Sequence, residues 1–208
     1  MGAETKSGRL AGALVLAHLA LGLTTPFILL HPLVRSDWAA TAAASATQIR
    51  IAVLLFFAGS AMPIAITGAA WDVLRQRALW LFALAVAAFT LQAVDNAHIL
   101  SMLSFSQHHL PMPADALSEA RKWAHYTTLL VEVSWIVLFF ALLYRFRLVP
   151  RLLAGLGVVT SAMQIAGVTL PALLGLPPRI VLAMPLAPVY VGLALWLLIK
   201  GFPTETRA

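Results

Sequence analysis

The sequence predicts an all-α, polytopic integral membrane protein of six transmembrane helices, with a short interfacial helix after the first span. Three observations carry this. The 208 residues are 61% hydrophobic and only 11% charged, whereas an ordinary soluble domain is about 25% charged. Mean hydropathy is +0.90. The apolar residues also fall into six runs, each close to the roughly 20 residues that cross a bilayer as a helix. So few charges cannot cover a water-exposed surface. The six runs use most of the chain, so residues 1–208 read as a single transmembrane domain with no room for a soluble one.

The elements follow in order. The first span is 10–30, closed by His31, Pro32 and Arg35. It is too long for a signal-peptide core and has no small-residue cleavage site behind it, so it reads as a retained span. Ser36 and Asp37 are helix caps by type. They precede the Ala/Thr-rich stretch 38–47, the predicted interfacial helix. The second span is 49–71, with Gly59 and Pro63 as kink points. Asp72, Arg75 and Arg77 make a tight loop before the third span, 78–103. Residues 104–118 form the longest polar loop. The fourth span is 120–144 and the fifth 152–174, with Arg145, Arg147 and Arg151 around the turn between them. Pro177 and Pro178 break the chain before the sixth span, 180–199. Gly155 and Gly167, and the Ala13/Ala17 pair, suit close helix contact in lipid.

Six spans return both termini to one side. That side holds Lys6, Arg9, Arg75, Arg77, Arg145, Arg147, Arg151, Lys200 and Arg207. The other holds Arg35, Arg50, Arg121, Lys122 and Arg179. These nine and five account for all 14 basic residues. Basic residues concentrate on the cytoplasmic side, so both termini are expected in the cytoplasm. The net charge of +6 thus sets orientation and does not point to nucleic acid. Trp71, Trp80, Trp123, Trp196, Tyr126 and Tyr144 lie near span ends, as an interfacial aromatic belt requires. There is no cysteine, which excludes disulfides and thiolate chemistry. No phosphate loop, nucleophile motif or HExxH motif is present.

Ionisable side chains within spans are costly and therefore mark candidate sites. In the third span Gln92, Asp95, Asn96 and His98 fall within two turns. In the fourth, His125 and Glu132 are seven apart, two turns along one face. Asp95, His98 and His125 sit at similar depth in the outward half, with Glu132 nearer the midplane. These four are the predicted ligand- or metal-binding residues. Arg50 can reach the same level, and His18 lies near the midplane of the first span. With Gln92 and Asn96 they make the supporting set. Two histidines and two carboxylates could bind a metal such as zinc or form an acid–base pair. They could equally be structural, with Asp95 or Glu132 paired to Arg50. Two of His18, His98 and His125 could ligate haem. His108, His109 and Met112 suit copper by ligand type, or a solvated turn.

Several stretches resemble one family of small bacterial six-helix membrane proteins. They are Gly8-Arg9-Leu10-Ala11-Gly12, Ile49-Arg50-Ile51, His125-Tyr126 and Leu143-Tyr144. Val149-Pro150-Arg151-Leu152-Leu153 follows, then Leu156-Gly157. The last is Leu195-Trp196-Leu197-Leu198-Ile199-Lys200-Gly201. The family is the domain of unknown function DUF4386. The resemblance implies a six-span bundle in the bacterial cytoplasmic membrane and no particular activity. Arg50 and His125 match its pattern. Where that pattern has an acid six places before the closing Trp, this chain has Tyr190.

The expected function is that of a multi-pass inner-membrane protein with an outward-facing polar pocket for a small or amphipathic ligand. Its partners are then membrane lipids and that ligand or a metal. The alternatives are a membrane-embedded metal-dependent or acid–base enzyme on a lipidic substrate, a haem protein, and a substrate-capture subunit of a transporter. Cofactor, oligomeric state and enzymatic status stay open at this point.

Overall fold

The computed structural model describes residues 3–74, 77–108 and 113–203. Arg75, His109, Met112 and Arg207, named above, lie outside them. Six helices are long and apolar enough to cross a membrane: α1 (Ala3–Leu29), α2 (Trp38–Ala69), α3 (Ala78–His108), α4 (Ala114–Arg145), α5 (Arg151–Leu173) and α6 (Ile180–Lys200). There is no strand among the described residues. Each helix packs on its neighbours in chain order, and α6 closes the ring against α1. Lipid offers the backbone no hydrogen bonds, so each span satisfies its own within a helix.

Three boundaries differ from the sequence reading. The short helix expected after the first span is present, at Trp38–Thr41, but it is continuous with the second span. A helical turn, Trp38–Thr41, and a 3-10 turn, Ala42–Ser45, run directly into Ala46–Ala69. Trp38 and Ala42 are buried against Leu30, Leu33, Met102 and Leu103, which holds this segment on the bundle. Asp37 does not cap it through its side chain. Its carboxylate instead accepts from Arg35 Nε and an Arg35 terminal nitrogen at 2.9 and 3.0 Å, and this hydrogen-bonded guanidinium holds it below the usual aspartate range. The predicted loop 104–118 is helical over much of its length, because α3 continues to His108 and α4 begins at Ala114. No proline occurs before Pro111 to stop α3, and Ser106, buried there, accepts a hydrogen bond from the Ala43 N–H at 3.0 Å. The helix also continues through Pro63, which itself donates no backbone hydrogen bond, to Ala69.

Proline chemistry places the α5–α6 connection. Pro171 has no N–H to offer the carbonyl four residues back, which is that of Gly167. The Arg179 N–H takes its place at 2.7 Å. A Cβ at Gly167 would lie 2.6 Å from Leu182 Cβ, so the missing side chain lets the returning strand of chain lie against α5. The same logic closes the ring. A Cβ at Gly12 would meet the Ala194 carbonyl oxygen at 2.8 Å and Leu197 Cβ at 2.9 Å. Without a hydrophobic drive between helices in lipid, such close approach is what holds α1 to α6.

Two apolar cores result. One lies towards the end that bears the termini and contains Trp135, Phe139, Phe140, Leu143, Leu193, Leu197 and Phe202. The buried residues of the other, towards the opposite, loop-bearing end, come from α2, α3 and the segment between α1 and α2, with Ala114 and Leu117 of the first turn of α4 packed against them. Beyond Leu117 the first half of α4 contributes no residue to either core's buried set. The candidate site forms there.

Gly12→Ala should destabilise the bundle by about 1–3 kcal/mol through overpacking. Gly22→Ala, with nothing within 4 Å of the new carbon, should not. Denaturant unfolding in mixed micelles reads both, and equal stabilities would count against glycine-mediated closure of the ring.

Candidate functional site

The spacing of polar residues on α4 builds the site. Arg121, His125, Thr128, Glu132, Trp135 and Phe139 recur at intervals of four and three, so they form one face of the helix. This face carries two polar layers, two turns apart, and each is completed by other helices.

The loop-side layer centres on Asp95 of α3, whose side chain is 0% exposed. Its Oδ2 accepts from His125 Nδ1 at 3.2 Å and from Gln92 Nε2 at 3.4 Å. A carboxylate only accepts, so Nδ1 carries the histidine proton here. Gln92 Nε2 also donates to Asn96 Oδ1 at 3.1 Å, and Asn96 Nδ2 donates to the Val53 carbonyl of α2 at 3.4 Å. The layer thus ties α4 to α3 and α3 to α2. Arg121 Nε faces Asp95 Oδ1 at 3.7 Å. That is an ion pair without a hydrogen bond, and both of these buried atoms lack a hydrogen-bond partner. The His125 side chain keeps 34% exposure, so the layer is not sealed.

The central layer lies two turns further along α4. His18 Nε2 of α1 and Glu132 Oε1 are 2.8 Å apart, with side chains 8% and 28% exposed. The bond crosses the ring, since α1 and α4 are not sequential neighbours. The His18 ring meets Trp135 edge-on at 6.4 Å between centroids and Tyr190 of α6 at 6.1 Å. Trp135 Nε1 donates to Thr67 Oγ1 at 3.1 Å, and that hydroxyl donates to the Pro63 carbonyl at 2.7 Å. Trp135 stacks on Phe139, with ring centroids 5.1 Å apart. His18 Nδ1 and the Tyr190 hydroxyl are buried with no partner.

The predicted residues are therefore divided. Asp95 and His125 come together, with Gln92 and Asn96 beside them. Glu132 pairs with His18 in the other layer. His98 joins neither: its Nδ1 contacts the Val94 carbonyl of its own helix at 2.8 Å. Val94, Ala97 and Ser101 around it are exposed, which puts it at the edge of the outer face. Arg50 is exposed at the start of α2 and makes no ion pair among the described residues. The cation beside Asp95 is Arg121. The reason is the helix face, not depth. Arg50 shares a level with the site but lies on the outer side of its helix, whereas Arg121 lies one turn from His125 on the inner face of α4.

The four-residue metal set is likewise not assembled. No group of three or more His, Cys, Asp or Glu side chains placed to hold a metal occurs among the described residues. The haem candidates also separate, because His18 and His125 each bond a carboxylate in a different layer. Sequence reasoning missed Arg121, Thr67 and Tyr190. For Arg121 a signal existed: it stands four residues before His125, and that spacing already puts the two on one face.

A ring of six hydrophobic helices enclosing two buried acid–imidazole pairs defines a small polytopic membrane protein with an intramembrane polar site. The chain belongs to the family described as Domain of unknown function (DUF4386), whose model matches residues 10–201. No curated protein and no solved structure matches it significantly.

Arg121→Ala strands the buried Asp95 and should cost about 1–3 kcal/mol of stability. Arg50→Ala, at an exposed position, should stay within about 0.5 kcal/mol of the parent. Thermal unfolding in detergent compares them, and a larger loss for Arg50→Ala would return Arg50 to the site.

Proposed function

We propose that this protein resides in the bacterial cytoplasmic membrane with both termini in the cytoplasm. There it binds a small polar or amphipathic ligand at Asp95, Arg121 and His125, entered from the extracytoplasmic side. One observation carries the binding reading. Asp95 Oδ1 and Arg121 Nε are buried, oppositely charged and 3.7 Å apart, yet neither has a hydrogen-bond partner. Leaving such groups unmade is expensive, by about 1–3 kcal/mol each or more. A ligand oxygen that accepts from Nε and donates to Oδ1 satisfies both, so the ligand class is a hydroxyl or protonated acid head group. The exposed part of His125 is the way in, and Glu132 and His18 form the floor.

A second reading rests on His125 itself. A buried carboxylate orients its Nδ1–H, which leaves Nε2 as a free base beside a partly open site. That arrangement resembles a general base held by an acid and suits acid–base chemistry on a lipidic substrate.

Native mass spectrometry of gently extracted protein, with metal analysis on the same sample, tests the ligand. The parent should carry a bound organic species that His125→Ala loses while keeping its fold. A parent that carries only water and detergent would remove the binding reading. Turnover of membrane lipid by the parent but not by His125→Ala would favour the enzyme.

The orientation follows from the nine-to-five basic asymmetry. Cysteine placed at Ser36, exposed between α1 and α2, should react with an impermeant thiol reagent outside intact cells. Cysteine at Asp72, exposed between α2 and α3, should react only after permeabilisation. The reverse pattern would invert the protein.

A further inference from the structure

A second opening lies on the lipid-facing surface at the other end of the molecule. It is a crevice of about 600 Å³ between α3 and α4, lined by Arg77, Trp80, Ala83, Leu84, Leu138 and Leu142. Its walls are apolar except at the mouth, where Arg77 stands. The Arg77 guanidinium lies over the Phe146 ring, 5.3 Å from its centroid, so the turn between α4 and α5 steadies it from the far side. No carboxylate pairs with it among the described residues. Arg145, Arg147 and Arg151 follow within that turn and its flanks, all exposed, and none of them has an acidic partner among the described residues either. Trp80, 71% exposed, stands beside the mouth at the level where aromatic side chains anchor to the membrane interface.

We infer that this crevice is a binding site for an anionic phospholipid, with the headgroup phosphate on Arg77 and one acyl chain between α3 and α4. Charge decides the occupant. A zwitterionic headgroup leaves the cationic mouth uncompensated, whereas a phosphate with net negative charge pairs with a guanidinium through two parallel hydrogen bonds. Basic pockets between transmembrane helices at a membrane face take anionic headgroups for this reason. Length also fits. Arg77 and Leu84 are seven residues apart, about 10 Å along the helix axis, enough for the phosphate and the upper part of a chain. The crevice faces lipid at the end that bears the termini, away from Asp95 and His125, so the inference does not depend on the ligand site.

The test compares phosphatidylglycerol, phosphatidylcholine with the same acyl chains, and glycerol phosphate, each added to the detergent-purified full chain and read by native mass spectrometry. Phosphatidylglycerol should bind at least about tenfold more tightly than phosphatidylcholine, and glycerol phosphate should bind far more weakly than either. Arg77→Gln should lose about tenfold in phosphatidylglycerol affinity with phosphatidylcholine unchanged, and Arg77→Lys should lose less. Ala83→Trp, at an exposed wall position, should fill the crevice and abolish retention of both lipids. Size exclusion and helical content check that the variants remain folded. Equal affinity for the two lipids, or no effect of Arg77→Gln, would overturn the inference. So would glycerol phosphate binding as tightly as the lipid, which makes the site one for a free phosphate. A shift of the parent to a dimer that Ala83→Trp abolishes would assign the crevice to a second copy of the chain.

Discussion

The bond between His18 and Glu132 joins helices that the ring does not make neighbours, and the interior is arranged around it. A charged group at the bilayer centre is unfavourable by about 2.5–3.5 kcal/mol or more when it faces lipid. Glu132 escapes that cost only by turning inward, and His18, at 2.8 Å, is what it finds there. Once this contact is made, the rotation of α1 and α4 about their axes is set. On α4 the same rotation turns Trp135 and Phe139 inward below Glu132, and His125 and Arg121 inward above it. On α1 it turns Gly8, Ala11, Gly12 and Val15 into buried positions, of which Gly12 receives α6 and Gly8 the Gly201–Phe202 segment that follows it. A single polar contact therefore fixes both the tight apolar end of the bundle and the polar loop-side end.

The two ends handle their polar groups differently. Hydroxyls buried within α5, Thr160 and Ser161, donate to carbonyls of their own helix. They cost little and bind nothing. Asp95, Arg121, His18 and Tyr190 each keep one buried polar atom without a partner. Natural proteins leave few such atoms, and here four, from four helices, fall in the two adjacent layers built against one face of α4. Two more, Thr25 Oγ1 and Thr169 Oγ1, belong to the π-helical turns Thr25–Leu29 and Ile165–Thr169. There the widened ladder accompanies Pro26 and Pro171. Those two fit a backbone cause, which the cluster on α4 does not have.

The bundle was legible in the sequence because hydropathy and length act over twenty residues at a time. The pairing of Asp95 with His125 was legible for a similar reason. Each lies in a span where facing lipid is expensive, and antiparallel neighbours of similar depth have few other partners. Depth alone misplaced Arg50 and His98. Arg50 is at the right level, but Ile51 and Leu54 beside it are exposed, so that side of α2 faces outward and a long basic side chain there can reach the interface. His98 satisfies itself on the Val94 carbonyl, a local bond that no long-range pattern reveals. Arg121 was read as an orientation charge because it lies near a span end. Its spacing of four from His125 already put the two on one helix face, but a basic residue near a span end reads first as an orientation charge.

The arrangement also bears on what kind of site this is. Beyond Glu132 the inner face of α4 continues with Trp135, Phe139, Phe140 and Leu143, all buried. Phe140 in turn meets the Tyr190 ring at 5.8 Å between centroids. No ionisable side chain is buried between this aromatic layer and the terminus-bearing end among the described residues. An ion that reached His18 would find no further ionisable partner, and its desolvation would be largely unopposed. A continuous pathway needs such partners on both sides of the midplane, as relays and pores in membranes have. The ionisable groups here occupy one half and end on an aromatic floor. On the binding reading proposed above, access is then from one side, and the geometry favours a site that holds its ligand over one that passes it across.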